Sequence, residues 1–186
     1  MKSAKAAFVL SVAALVSACA NDAGVYREPS YDGATENKFL TTNGRATDSL
    51  MDRLPPNYTV ASLRDAPVLV ATIVNLNNLQ QSSSLGRSIA ELASSRMVAR
   101  GFNVKELKLR DTVFVREGTG ELLLSRELKD IARSHSAPMV LVGTYSVAAD
   151  VVFLNLKIVR TDDSRILSAI DYALPTDRTV SALLLK

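Results

Sequence analysis

The chain predicts an α/β fold: a single domain with a mixed β-sheet and helices packed on it, in the order β-α-β-(short strands)-α-β-β-β. Three observations lead there. Residues 67–74, Pro-Val-Leu-Val-Ala-Thr-Ile-Val, form a β-branched run with no polar alternation, as expected of a strand covered on both faces. Two segments of helical periodicity, each with serine at its start, separate this strand from the later ones. Three apolar segments, 138–147, 151–160 and 165–174, then follow with only short polar turns between them, and such turns join antiparallel neighbours. Crossovers early in the chain and hairpins late in it imply a mixed sheet with helices on it.

The elements follow in order. Lys2 and Lys5 precede a run from Ala6 to Leu15 that is apolar except for Ser11. A bilayer span needs about 20 apolar residues, so residues 1–18 read as an export signal instead. Val16-Ser17-Ala18-Cys19 ends the run in the pattern of the bacterial lipobox: aliphatic, small, Ala or Gly, Cys. Such a signal requires Cys because a thiol forms the thioether to glyceride, which makes Cys19 the predicted lipidation site. Ala18-Cys19-Ala20 also satisfies the small-x-small pattern of ordinary signal peptidase, which would cut after Ala20 and discard the Cys. Cys19 is the only Cys of the chain, so no intramolecular disulfide competes for it. Each acyl methylene buried in lipid contributes about 0.8 kcal/mol, so two or three chains anchor firmly. Asp after the Cys tends to hold enterobacterial lipoproteins in the inner membrane. Ala20 stands there instead, which points to the outer membrane, with the domain in the periplasm.

Residues 19–45 read as the lipidated N-terminus and a tether, because Asn21 to Asn43 is polar and poor in aliphatic residues. Tyr26, Tyr31 and Phe39 interrupt that polarity. The domain is expected over residues 46–175, with a tail of uncertain structure over 176–186. A short helix is expected over 47–54, with Leu50, Met51 and Leu54 on one face and Pro55-Pro56 as its stop. After the 67–74 strand comes a polar loop, 75–83. A helix follows, capped by Ser83 or Ser84 and ended by Gly101 in the left-handed conformation. Residues 104–109 alternate like a half-exposed strand. Residues 112–115 and 121–124 read as short strands around the Gly118-Thr119-Gly120 turn. Ser125 caps a second helix, with Leu128, Ile131, Ala132 and His135 expected on its inner face. The 138–147 strand is the most apolar and so central.

Composition removes several function classes. The formal charge of +3 includes Lys2 and Lys5, which leave with the signal. The mature chain is then close to neutral, its basic residues are spread out, and nucleic acid is not an expected partner. His135 is the only histidine and reads as a helix-end residue. With one His and one Cys, a zinc centre has too few ligands. No Ser stands in a G-x-S-x-G context. Asp162, Asp163 and Asp171 suggest a metal pair only at first sight, since an Asp- and Ser-rich turn caps its own backbone. Ser82-Ser83-Ser84-Leu85-Gly86-Arg87 opens a helix after a strand, where anions bind, but it has one glycine and no P-loop lysine. Gly86 is expected instead to let the helix start pack on the sheet. No catalytic residue, metal or cofactor is predicted. Partner contact is assigned to the loop and helix start, at Asn75, Asn77, Asn78, Gln80, Gln81 and Arg87, because exposed loops on rigid scaffolds often carry binding.

Leu85-Gly86-Arg87, Arg100-Gly101-Phe102 and Val142-Gly143-Thr144-Tyr145 occur in that order, with Glu106 to Arg110 and Gly120 to Glu127 between the last two. Together they resemble the FlgO family of outer-membrane lipoproteins over roughly residues 46–175. The resemblance implies a Gram-negative envelope protein without catalytic residues or cofactor, associated in its best-known members with flagellar assembly or motility. It also points toward the curli-export lipoprotein and the lipoproteins that activate penicillin-binding proteins. The implied partners are the membrane, through the lipid anchor, and another envelope protein, with basal-body or collar components first. Docking on a cell-wall synthase is the alternative role. A homo-oligomer, as in a ring or export component, is a third reading, and it would need a barrel-forming stretch of alternating residues that the sequence does not show.

Overall fold

The computed structural model describes residues 37–63, 65–80, 82–107, 114–116 and 122–185. Cys19, the export signal, Gln81 and the Gly118-Thr119-Gly120 turn lie outside the described residues.

The first helix, α1 (Lys38–Asp52), begins well before the expected start at Thr47 and ends short of Leu54. Residues 38–45, assigned to the tether, are its first turns. The polar composition that reads as linker is absorbed locally. The Asn37 side chain caps the helix by accepting from the Phe39 N–H at 2.7 Å. Asn43 is buried, where its amide donates to the Phe39 carbonyl at 2.6 Å and its oxygen accepts from the Tyr172 hydroxyl at 2.5 Å. Thr47 donates back to the Asn43 carbonyl at 2.9 Å. Phe39 packs into the core. A 3₁₀ turn, Pro56–Tyr58, follows.

The expected 67–74 strand is broken in two: β1 (Val68–Ala71) and β2 (Val74–Asn75). At this break the start of α2 (Ser84–Ala99) packs so close that a Cβ on Gly86 would lie 1.9 Å from the Ile73 carbonyl oxygen. The Ser83 hydroxyl caps α2 by accepting from the Gly86 N–H at 3.3 Å. At its other end Gly101 takes φ +90°. The Gly101 N–H then reaches the Val98 carbonyl, and the Phe102 N–H reaches that of Met97. That pair of bonds closes the helix end, with Phe102 and Met97 both in the core.

β3 (Val104–Leu107) pairs in parallel with β1. β4 (Phe114–Arg116) and β5 (Leu122–Leu124) form an antiparallel hairpin off the main sheet. α3 (Arg126–Ser134) is capped by Ser125, whose hydroxyl accepts from the Leu128 N–H at 3.2 Å. β6 (Met139–Val147), β7 (Val151–Arg160) and β8 (Ile166–Pro175) form two successive antiparallel hairpins. The sheet order is β3-β1-β6-β7-β8, with β2 also on β6. β1, β2 and β3 run parallel to their neighbours, which makes the sheet mixed and β6 central. The tail forms a helix, α4 (Arg178–Leu184), capped by Asp177 and held by buried Val180.

Helices cover the two faces unequally. On one, α1 and α2 bury Leu50, Ile89 and Met97 against Leu141, Leu156 and Ile158, with Val180 of α4 in the same cluster. On the other, α3 alone packs Leu128 and Ala132 over Leu69, Val140, Val142 and Val159. Leu124 of β5 joins that cluster, and among the described residues of this face Phe153 and Ile166 are exposed.

Candidate functional site

Strand alternation decides what the open face presents. Along β7, Val152, Leu154, Leu156 and Ile158 enter the core, which turns Phe153, Asn155 and Lys157 the other way. Register then sets Ala173 beside Phe153, Asp171 beside Asn155 and Ala169 beside Lys157 on β8. Ser146 and Thr144 stand opposite Phe153 and Asn155 on β6. Beyond β2, the Leu76 N–H bonds the Tyr145 carbonyl at 2.8 Å, which draws Leu76 alongside the same strand. The result is a shallow groove of about 500 Å³ between Leu76 and Phe153, with Thr144 and Ser146 among its lining residues. Phe153 is 54% exposed, large and apolar in a phase of the strand that would ordinarily be polar.

Two polar groups of this face engage each other. Asn155 donates to the Asp171 carboxylate at 2.5 Å across the β7–β8 pair. On the covered face the Tyr172 hydroxyl is given to Asn43, and burial pushes that phenol well above its ordinary pKa.

The residues assigned from sequence do not form one site. Asn75 closes β2, and its side-chain oxygen accepts from the Asn77 N–H at 2.9 Å. Asn78 accepts from the Gln80 N–H at 3.3 Å. Both side chains therefore shape their own loop. Asn77 and Gln80 are exposed. Arg87 donates to the Ser84 hydroxyl at 2.9 Å and lines a different hollow of about 460 Å³, beside Thr72, Ser82, Glu91 and Glu106. Of the loop, it is Leu76 that reaches the open-face groove. Phe153 had a legible signal, since it interrupts the apolar-in, polar-out alternation that Asn155 and Lys157 keep along the middle of β7.

His135 does not lie on the inner face of α3. It is the exposed C-cap, with Nδ1 3.4 Å from the Lys105 ammonium. Asp162 and Asp163 serve their turn. Both pair with Arg160, and the Arg165 N–H donates to Asp163 at 3.0 Å. The Arg160 hydrogen bond, first among several causes, holds the Asp163 carboxyl well below the usual carboxylate range. Asp171 is engaged elsewhere. Among the described residues no group of three or more His, Cys, Asp or Glu side chains is placed to hold a metal ion. Likewise no helix among them is long and apolar enough to cross a membrane.

Fold and site together define a small mixed-sheet α/β domain with one helix-covered face and one partly open, largely apolar face. The chain belongs to the FlgO protein family, whose model matches residues 45–179, as the Leu-Gly-Arg, Arg-Gly-Phe and Val-Gly-Thr-Tyr segments implied. Among solved structures it is similar to the LpoB C-terminal domain from Salmonella enterica, at a TM-score of 0.53 and 12% identity, covering 74% of this chain and 98% of that one. The LpoB C-terminal domain from Escherichia coli gives a TM-score of 0.50 at the same identity and coverage. At such identities the likeness speaks for the fold alone. No curated protein is a significant sequence match. Family membership supports the reading of an envelope lipoprotein.

Proposed function

We propose that the protein is an outer-membrane lipoprotein, anchored through acyl chains on Cys19. In this reading its periplasmic domain acts as a structural or assembly protein of the envelope, associated with the flagellum and motility. It carries no catalytic centre and works by contact, with basal-body or collar components as first partners. The observation that carries the reading is the family match across residues 45–179, preceded by the Val16-Ser17-Ala18-Cys19 lipobox. The open face with Leu76 and Phe153 is the surface the domain has available for such contact. A deletion strain, complemented with wild type or Cys19→Ala and scored on soft agar and by electron microscopy, tests it. Lost swimming with absent or unstable flagella, rescued only by the form able to be acylated, is the expected result. Normal swimming in the deletion strain refutes the flagellar role.

The fold shared with the LpoB domains keeps a second reading in view, in which the domain docks on and stimulates a cell-wall synthase. Its mark would be a cell-wall synthesis defect in a strain that still swims.

A further inference from the structure

We propose that the open sheet face takes a second copy of this chain, and that the protein self-associates through it, face to face, as a twofold dimer. This rests on reading that face as the docking surface.

The strip of β7 and β8 beyond α3 has large apolar groups at its two ends. Phe153 is 54% exposed and Ile166, which pairs with Val159 at the start of β8, is 51% exposed. Between them stand the small side chains of Ala169 and Ala173, which leave room for another face to approach. The centre carries one acid, Asp171, and one base, Lys157, two residues apart across the β7–β8 register. Asp171 takes the Asn155 amide. In a twofold interface the same patch meets itself, so residue i contacts j while j contacts i. A face of a single sign would repel its own copy. A face with one acid beside one base can present Lys157 to the copy's Asp171 on both sides of the axis.

Area sets the strength. The strip is two strands wide and six residues long, roughly 10 by 20 Å. It would bury roughly 400 Å² for the pair, well below the ~1,200 Å² of a standard stable interface. Association is therefore weak and reversible in solution, and two copies anchored in one membrane gain from raised effective concentration.

The experiment is sedimentation velocity of the full acylated chain in detergent micelles over a concentration series. A monomer–dimer equilibrium is expected. Phe153→Glu should raise its Kd at least about tenfold with an unchanged thermal midpoint. Asp171→Lys and Lys157→Asp should each weaken self-association similarly, while an equimolar mixture of the two regains dimer, a rescue that no structural role of either residue alone produces. A wild type that stays monomeric throughout overturns the proposal. So does a dimer indifferent to all three substitutions, or a mixture that fails to recover. A monomeric wild type from a strain whose deletion abolishes swimming would remove the dimer and leave the flagellar reading standing.

Discussion

The covered and open faces of the same sheet share strands, residue by residue, yet obey different constraints. On the covered face several positions are fixed by a specific neighbour. Gly86 admits no Cβ, Asn43 and Tyr172 complete each other, and Asp48 and Asp52 of α1 meet Arg96 of α2 and Arg100 at its C-terminal cap. On the open face, Phe153 and Ile166 leave about half of their surface in solvent. The second face also carries a buried cluster under α3, and only the part around Phe153 and Ile166 stays exposed.

Substitutions sharpen this contrast in order of size. Gly86→Ala sets a methyl against the Ile73 carbonyl, backbone against backbone, and should cost about 3 kcal/mol in denaturant unfolding. A cost under about 0.5 kcal/mol would mean that the α2 start is not held there. Tyr172→Phe leaves the Asn43 oxygen buried without its donor and should cost about 1–2 kcal/mol. Because burial raises the Tyr172 pKa, ionisation is disfavoured in the folded state. Wild-type stability should therefore fall as pH rises above about 10, and the phenylalanine variant should lose that part of the alkaline sensitivity.

Asp48→Asn should cost less, up to about 1 kcal/mol, since the network with Arg96 and Arg100 is largely solvent-exposed. The Arg96 hydrogen bond, with Arg100 assisting against desolvation, depresses the Asp48 pKa. A depressed carboxylate stabilises the fold above its unfolded value of about 3.9 and is lost as pH falls through the folded value. The gap between wild type and Asp48→Asn should accordingly close in acid, as thermal melts from pH 7 to pH 2 would show. Phe153→Ser should change stability by less than about 0.5 kcal/mol. A larger loss in the same melts would mean that the open face is part of the core after all.

The sequence made the covered face largely legible, because cores write themselves as periodicity. The serine caps of α2 and α3, the left-handed Gly101, the tight fit at Gly86 and the hairpins β6–β7 and β7–β8 all follow from local patterns. Two features did not. The first turns of α1 hide in a polar composition because Asn43 and Thr47 bond to helix carbonyls, and the hydroxyl that satisfies Asn43 comes from the far end of the chain. The split between β1 and β2 falls where the start of α2 comes close to Ile73, and no run of β-branched residues records that approach. The open face was not legible for a related reason. Loop polarity suggested contact, yet Asn75 and Asn78 turn inward on their own backbone, while the exposed apolar surface comes from Leu76 and from Phe153, a strand residue whose neighbours on β6 and β8 are set by pairing.

The outer margin of the sheet bears on how such molecules behave when many are held together. Arg53, just past α1, donates to the Ala169 carbonyl of β8 at 3.3 Å, and β8 ends in Pro175, which has no N–H to offer. A bare strand margin can recruit one chain after another into a growing ribbon. A guanidinium placed on one carbonyl and an imino acid at the terminus oppose that growth. Contact across a face closes on itself at two copies, whereas contact along a margin has no natural end.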